Sequence, residues 1–564
     1  MDLPRLQAIL SAAPVFEQFP GNGDVMLFRM DLPGPEALAK LRDRLTANGF
    51  SQVFENKFSA LTFTVWSNGP ETLYIAMDAD LHTRVTATDE RWEPLPDVPF
   101  RRVADPLVTQ PRGLYCTADC GMVYLIRLSD GRFVLIDSGL GEYEETAHLL
   151  ELIREQNVLP GKPVIAAWFI THRHSDHFRG FEQFMDRCAD EVALERLIYN
   201  WPAENMIRTA SPSGEFDRIA ASLPAGTVIT AHAGQQFRFA DAVFDVLFAC
   251  EDLYPSFIKN LNDTSTVVRM TLGAHRVMWM GDAQHQCADL LCARYTAEDL
   301  AADVLQVAHH GYWGGSAELY RRVDPAILLW PCPDFWYHEA VFWKENQPLV
   351  TSPKVRETYL SGNEEVTLDF ADADLTGRHA LPAFEPPVIL RETFAGTEVR
   401  DLRWACVSGG KTGYVPPKID NSRPGEVRLT AGNALGVVTL LRQGLLDLPE
   451  GFTLLLEGRL GAVGDESTVG LLWNDPHPTV PDPEKVLPLP AESEKPFSFR
   501  LSADPQAGLA RLWNGEELLR EIPYGPQKNC GLHLVLKSTE AFLRNVLVVA
   551  GCSGNAPGSA IKEN

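Results

Sequence analysis

The sequence predicts a multidomain protein, with a central layered α/β domain between a small α+β domain and an all-β sandwich. Three observations point there. At 564 residues the chain is too long for a single core and calls for about three domains. From about residue 112 short apolar runs alternate with amphipathic helical stretches, which is the rhythm of layered α/β architecture. Beyond Pro382, Pro386 and Pro387 only short alternating segments and turn signals remain, as in a β-sandwich. The expected divisions are 1–108, 109–382 and 383–553, with a disordered tail at 554–564.

Composition narrows the function classes. Hydrophobic and charged fractions of 45% and 22% are those of ordinary soluble protein. A net charge of −25 repels nucleic-acid backbones and anionic membranes, so neither is an expected partner. The N-terminal stretch has Asp2 and Pro4 where a signal peptide carries basic residues, and no apolar run approaches the roughly 18 residues of a membrane span. The ten cysteines are scattered, with only Cys116 and Cys120 close together, so reduced thiols in the cytoplasm are expected.

In the first domain, Val25 to Met30 reads as a strand and Pro35 to Asn48 as a helix with Leu38, Leu41 and Leu45 on one face. Leu61, Phe63 and Val65 alternate with threonines, Asn68-Gly69 offers a hairpin turn, and Leu73 to Met77 returns. Nothing here carries chemistry. A packing or dimerisation role is the plain reading, and a substrate lid the sharper one. Pro94 to Pro111 reads as a linker.

In the central domain, Met122 to Leu128 and Arg132 to Asp137 flank a hairpin signal, and Tyr143 to Gln156 reads as a helix. The branched and aromatic run Val164 to Ile170 is a buried strand, and it leads into Thr171-His172-Arg173-His174-Ser175-Asp176-His177-Phe178-Arg179-Gly180. Three imidazoles and a carboxylate crowded at a strand end need a cation to draw them together. His172 and His174 are two apart, so in an extended segment they point the same way and take two corners of one site. Asp176 and His177 fall on the turn into the next helix, where they can face a second metal, and Gly180 gives the backbone room. Downstream, Asp241 to Phe248, Thr264 to Leu272 and Arg276 to Met280 read as strands, the last ending in Gly281-Asp282. The apolar run Ala302 to Ala308 then delivers His309-His310-Gly311. Alternation with Leu305 and Val307 favours His309 as a ligand, with His310 left open.

The pattern His172-x-His174-x-Asp176-His177 resembles the signature of the metallo-β-lactamase superfamily, hydrolases with a four-layer αββα fold and one or two metals between the sheets. The segment ADVLQVAHHG closely resembles the hydrolase domain of ComEC-type competence proteins, and the likeness covers roughly residues 112 to 375. The resemblance implies that Asp137 supports the ligand loop and that Asp282 bridges both metals. It implies that His309 or His310 closes the second metal site while the other meets substrate oxygen. Trp336-Tyr337-His338 stands where the branch has Tyr-x-His-Pro, with Glu339 in place of proline, which makes His338 a candidate proton donor or substrate contact. Many superfamily members supply a third histidine after the first motif. Here the matching segment is Asn262-Asp263-Thr264-Ser265, so the first metal would be held by His172, His174 and Asp282, with water or Asn262 completing its shell. His232 is not expected to be a ligand.

The last domain shows strands such as Glu426 to Thr430, Phe452 to Arg459, Phe497 to Ser502 and Leu509 to Trp513, with a hairpin turn at Asn514-Gly515. It resembles concanavalin-A-like or laminin-G-like sandwiches, for which glycan binding and a purely structural role are both open.

Together these readings imply a metal-dependent hydrolase with two divalent cations, zinc preferred and manganese or iron also suited. A metal-bound hydroxide would attack a phosphodiester of a small molecule, with Asp176 orienting the nucleophile and accepting a proton. The alternatives are a lactone or ester hydrolase with the same metals, and a glycan-binding protein with a structural or vestigial metal site.

Overall fold

The computed structural model describes residues 2–18, 25–92, 99–113, 115–116, 120–203, 206–207, 212–362, 364–379, 387–396, 407–408, 417–433, 436–441, 450–473, 486–490, 492–525 and 532–552. The expected tail at 554–564 lies outside them.

The N-terminal domain is one antiparallel sheet of six strands in the order Pro14–Gln18, Val25–Asp31, His82–Thr88, Thr72–Asp78, Leu61–Ser67, Ser51–Lys57. Strand side chains alternate between faces, so each strand is read twice. Met26, Phe28, Leu73, Ile75, Val85 and Ala87 pack beneath helices Leu3–Leu10 and Pro35–Ala47. The opposite face sends Leu27, Leu61, Phe63 and Ala76 into a core shared with the central domain, beside Leu247, Met278 and Leu291. The domain is thereby fastened to its neighbour by apolar burial.

The central domain has four layers. One sheet runs Val228–Thr230, Leu197–Tyr199, Val164–Ile170, Phe133–Asp137, Val123–Arg127, Leu107–Gln110, Val366–Asp369, Gly377–His379. The other runs Gln236–Phe239, Ala242–Phe248, Val267–Leu272, His275–Trp279, Val304–Gln306, Ile327–Trp330, Glu357–Leu360. Their inner faces meet in a core containing Ile136, Phe169 and Ile198 from the first and Phe244, Val268, Trp279 and Leu329 from the second. Helices Tyr143–Gln156, Ser175–Cys188 and Gly214–Ser222 cover the first sheet, and His285–Arg294 and Ala317–Val323 the second. Leu107–Gln110 corrects the linker reading: this short run pairs with both Val123–Arg127 and Val366–Asp369, so the sheet begins inside the stretch taken as connection. Four residues are too few to show a period.

The C-terminal domain is an all-β sandwich threaded by two long strands, Phe452–Trp473 and Leu532–Ala550, paired along their length with register shifts between Leu460 and Thr468. At one end Leu532–Ala550 pairs with Gly436–Leu441, at the other with Glu426–Ala431 and Val388–Glu392. The expected strand at Phe452 to Arg459 is thus the first third of a longer one, because bulges let a strand bend through both layers without breaking. The edge of this domain is completed from elsewhere: Tyr115–Cys116 pairs in parallel with Val407–Ser408. No helix among the described residues is long and apolar enough to cross a membrane.

Candidate metal centre

The ligand-rich segment leaves the strand Val164–Ile170 at Thr171, and the helix Ser175–Cys188 begins within it, with His174 extended at the N-cap and Asp176 and His177 in the first turn. The adjacent strand Phe133–Asp137 ends at the same level, since Ile136 pairs with Phe169. Asp137 is fully buried at a positive φ of 55° and accepts from the Thr171 amide at 2.7 Å and its hydroxyl at 2.9 Å. Its other contact is His177 Nδ1 at 2.8 Å, which turns His177 Nε2 towards the inter-sheet space. Ser138 donates to the His177 carbonyl at 2.6 Å, and the Met122 amide donates to the Asp176 carbonyl at 3.0 Å. Gly180 is required by close approach, because a Cβ there would lie 1.7 Å from the Ser138 carbonyl oxygen.

The second sheet delivers Asp282 from the strand His275–Trp279. Gly281 turns at φ 52°, and a Cβ on it would meet Thr171 at 2.7 Å. Two side chains hold the turn. Gln306, fully buried, accepts from the amides of Met280 and Gly281 at 2.7 Å each and donates to the Gly281 carbonyl at 3.0 Å. Ser265 accepts from the Asp282 amide at 3.0 Å and donates to the Asn262 carbonyl at 2.8 Å. Neither Gln306 nor Thr171 was singled out from the sequence. The signal for Gln306 was there, as one polar residue inside the apolar run ADVLQVA.

Two groups result, and Asp282 belongs to both: His172, His174 and Asp282 in one, Asp176, His177, Asp282 and His310 in the other. His172 Nε2 lies 3.0 Å from His174 Nδ1 and 3.7 Å from Asp282 Oδ2. His177 Nε2 is 3.2 Å from Asp282 Oδ2, and His310 Nε2 is 3.2 Å from Asp176 Oδ2. Ligand atoms about 2.0–2.1 Å from a tetrahedral metal sit roughly 3.3 Å from one another, so these separations fit such a shell. Three buried atoms at the centre have no hydrogen-bond partner among the described residues: His177 Nε2, Asp282 Oδ1 and Asn262 Oδ1. Buried polar atoms are costly when unsatisfied, and the donor set here is the one that divalent cations take.

Of the two histidines the structure sets His310 within the second group and His309 beside it, with His309 Nε2 4.0 Å from Asp282 Oδ2. The strand Val304–Gln306 stops short of the pair, and His309 and His310 follow at positive φ of 50° and 54°, so strand alternation no longer governs them. His310 is fully buried, with Nδ1 against the Pro331 carbonyl at 2.7 Å and Nε2 in the cluster. His309 stands at the mouth instead, its Nε2 2.8 Å from Asn262 Nδ2 and its Nδ1 2.8 Å from Gln284 Nε2. Asn262 thus faces His309 at the mouth, and the Ser265 hydroxyl holds the Asp282 turn. His338 lies on the helix Asp334–Ala340, and its side chain lies outside the described residues. His232 is elsewhere, held between Glu251 at 2.9 Å and Glu90 at 3.0 Å.

Electrostatics follow the crowding. Burial, reinforced by His177, holds His172 well below the usual histidine range. Burial works the other way on the carboxylates, but the imidazoles prevail: His177 foremost holds both Asp176 and Asp282 below the usual range. Burial would lower His177, yet Asp282, Asp137 and Asp176 together raise it well above normal. The anionic oxygens thus gather their positive charge from the histidines, the role a divalent cation fills when it binds.

A family model described as the Metallo-beta-lactamase superfamily matches residues 118–331. Among solved structures the chain is similar to the metallo-beta-lactamase fold protein YhfI from Bacillus subtilis, at 14% identity and a TM-score of 0.29, over 45% of this chain and 96% of that one. It is also similar to the Emp47p carbohydrate recognition domain, at 14% identity and a TM-score of 0.19, over 23% of this chain and 84% of that one. A third similarity is to a structure reported with endo-acting O-glycanases of the human gut microbiota, at 10% identity and a TM-score of 0.20, over 29% and 99% of the two chains. No curated protein matches the chain. The family match spans both ligand groups, and the chain therefore carries a metallo-β-lactamase superfamily domain.

Proposed function

We propose that the chain is a metal-dependent hydrolase that cleaves a phosphodiester in a small molecule. The observation that carries this reading is the shared carboxylate: Asp282 belongs to two groups at once, among buried ligand atoms that the protein itself leaves unsatisfied. His172, His174 and Asp282 would hold one cation, and Asp176, His177, Asp282 and His310 the other. Zinc suits this set, and manganese or iron are accommodated by it. When bound, such ions supply Lewis acidity and make water nucleophilic near neutral pH.

The chain's own residues do the rest. Asp137 fixes the His177 ring by its Nδ1, and the Pro331 carbonyl fixes His310 in the same way, so each presents Nε2 inwards. Asp176 is the most exposed of the second group, at 21% of its side chain, and can orient an incoming water and take its proton. His309, at 18%, stands at the mouth beside Asn262 and can meet a substrate oxygen.

The segment ADVLQVAHHG and the absence of a third histidine after the first motif favour the ComEC-like branch, and with it a phosphodiester. The net charge of −25 favours a small substrate over a nucleic acid. No disulfide forms among the described residues, which suits a reducing cytoplasm. Metal analysis of protein purified without chelator, followed by a panel of chromogenic phosphodiesters, esters and lactones, tests the proposal. Near two equivalents of metal with phosphodiester turnover that Asp176→Ala removes is the expected result. Turnover confined to esters or lactones would replace the substrate class, and no metal even after added zinc or manganese would overturn the reading.

A further inference from the structure

The face of the N-terminal sheet that meets the central domain carries two rows of charge. The register sets them out. Arg29 pairs with Arg84, Arg84 with Ala76 and Ala76 with Phe63, which makes one row across four strands. Asp31 pairs with His82 and Leu61 with Asp78, and His82 Nδ1 meets Asp78 at 2.9 Å, which makes a second row. Each residue of the second row lies two positions from its counterpart in the first, so the rows share a face and stand about 7 Å apart.

These rows wall a cavity of about 400 Å³ that Ala293 and Arg294 close from the central domain. At its floor Arg84 and Arg294 share a single carboxylate oxygen of the fully buried Asp252, Arg294 at 3.0 Å. Asp252 is the one ion-pair partner of either guanidinium among the described residues. Two part-buried guanidiniums thus meet on one carboxylate, and Arg29 adds a third cation to the row. At the rim the balance is reversed, since Asp31, Asp78 and Asp80 outnumber His82. Beside the charges, on the two following strands, the rows continue as an apolar wall of Leu61, Phe63 and Ala76. None of the lining residues belongs to either metal-ligand group.

We propose that this cavity binds a small amphoteric molecule, with a carboxylate or phosphate held by Arg84 and Arg294 and an ammonium about 7 Å away at the Asp31 and Asp78 rim. The floor supplies paired guanidinium donors suited to an oxyanion, and neutralising them removes the repulsion between the two arginines. A rim of the opposite sign turns away simple anions and selects the ligand that carries both charges. The apolar wall flanks the methylene body that joins the two charges.

Three molecules of matched length test this on the full-length protein by calorimetric titration: 6-aminohexanoate, hexanoate and hexylamine. Tightest binding is expected for 6-aminohexanoate, weaker for hexanoate, and none for hexylamine. Arg294→Gln should weaken 6-aminohexanoate roughly tenfold by removing a charge-assisted bond. Asp31→Asn, on an exposed side chain, should leave hexanoate unchanged while narrowing the preference for 6-aminohexanoate. Absence of binding by all three, or equal binding of 6-aminohexanoate to wild type and Arg294→Gln, would overturn the proposal. Equal affinity for hexanoate and 6-aminohexanoate in the wild type would overturn its amphoteric half. Because Arg294→Gln removes a partner of the buried Asp252, its thermal unfolding is compared with wild type, and Arg29→Ala, from the exposed end of the arginine row, gives an independent reading in the same direction.

Discussion

Two clusters of histidine and carboxylate are centred on buried imidazoles of the central domain, and they differ in one respect. In the Glu90–His232–Glu251 cluster both imidazole nitrogens have a partner, Nδ1 on Glu251 at 2.9 Å and Nε2 on Glu90 at 3.0 Å, and Asn200 donates to Glu251 at 2.8 Å. In the metal cluster His177 Nε2, Asp282 Oδ1 and Asn262 Oδ1 are buried with no hydrogen-bond partner among the described residues. The first is complete as protein, and it ties the N-terminal domain, through Glu90, to the central one. The second leaves buried atoms that an ion could satisfy. Both are built on a buried imidazole between carboxylates, so the unsatisfied atoms make the distinction.

The sharpest way to break this comparison is Asp282→Ala, which takes a ligand from both groups. Turnover should fall on the order of 10³-fold, about 4 kcal/mol of barrier. Added zinc should raise the melting temperature of the wild type and leave that of the variant unmoved. Persistence of the zinc response in the variant would mean that the ions bind elsewhere.

Next in size is His232→Ala, which leaves Glu251 buried without its counter-charge and should cost about 3–5 kcal/mol in denaturant unfolding. Metal content should stay at the wild-type level. A parallel loss of metal would show the two clusters to be one unit.

The histidine pair comes third. His310→Gln should lose one metal equivalent, whereas His309→Gln should keep both and weaken binding by no more than about 10–100-fold, the usual cost of a supporting contact. The reverse outcome in metal titrations would restore the alternation argument.

The smallest effect is a pH dependence. Burial opposes the charge on His232, but Glu251 and Glu90 raise it from 6.5 to about 10. The folded state therefore holds this proton more tightly than the unfolded chain, and the stabilisation is present in full below pH 6.5 and lost as pH rises through about 10. In the sandwich His533 is the opposite case, since burial alone lowers it from 6.5 to about 3. Its contribution is present above pH 6.5 and declines as pH falls towards 3. Unfolding of His232→Gln followed from pH 6 to 10.5 should show its deficit shrinking at the alkaline end, and a deficit that grows there would contradict the assignment.

Much of the site was legible because its residues are close in the chain. His172, His174, Asp176 and His177 stand on one strand end and one helix turn, where spacing translates directly into direction. Asp137 and Asp282 needed the superfamily resemblance, since an aspartate after a strand is common in itself. The placement of His309 and His310 was not legible, because the backbone leaves the strand at Gln306 and turns left-handed, which no alternation can carry. Gln306 was overlooked although its work, fixing two amides of the Gly281 turn, explains why a polar residue sits in that strand. In the N-terminal domain the strands Val25–Asp31, Leu61–Ser67 and Thr72–Asp78 were readable from alternation, but the cavity on their shared face was not, because it exists only once the register and the second domain are known.

The parallel pairing of Tyr115–Cys116 with Val407–Ser408 sets an order of events on the ribosome. The partners are about half the chain apart, so this early segment of the central domain must wait for the sandwich to be synthesised before its backbone is paired. During that interval the metal domain can close its own two sheets. The last domain to emerge is then the one that secures an early segment, and a chain stopped short of residue 407 would leave that strand without its partner.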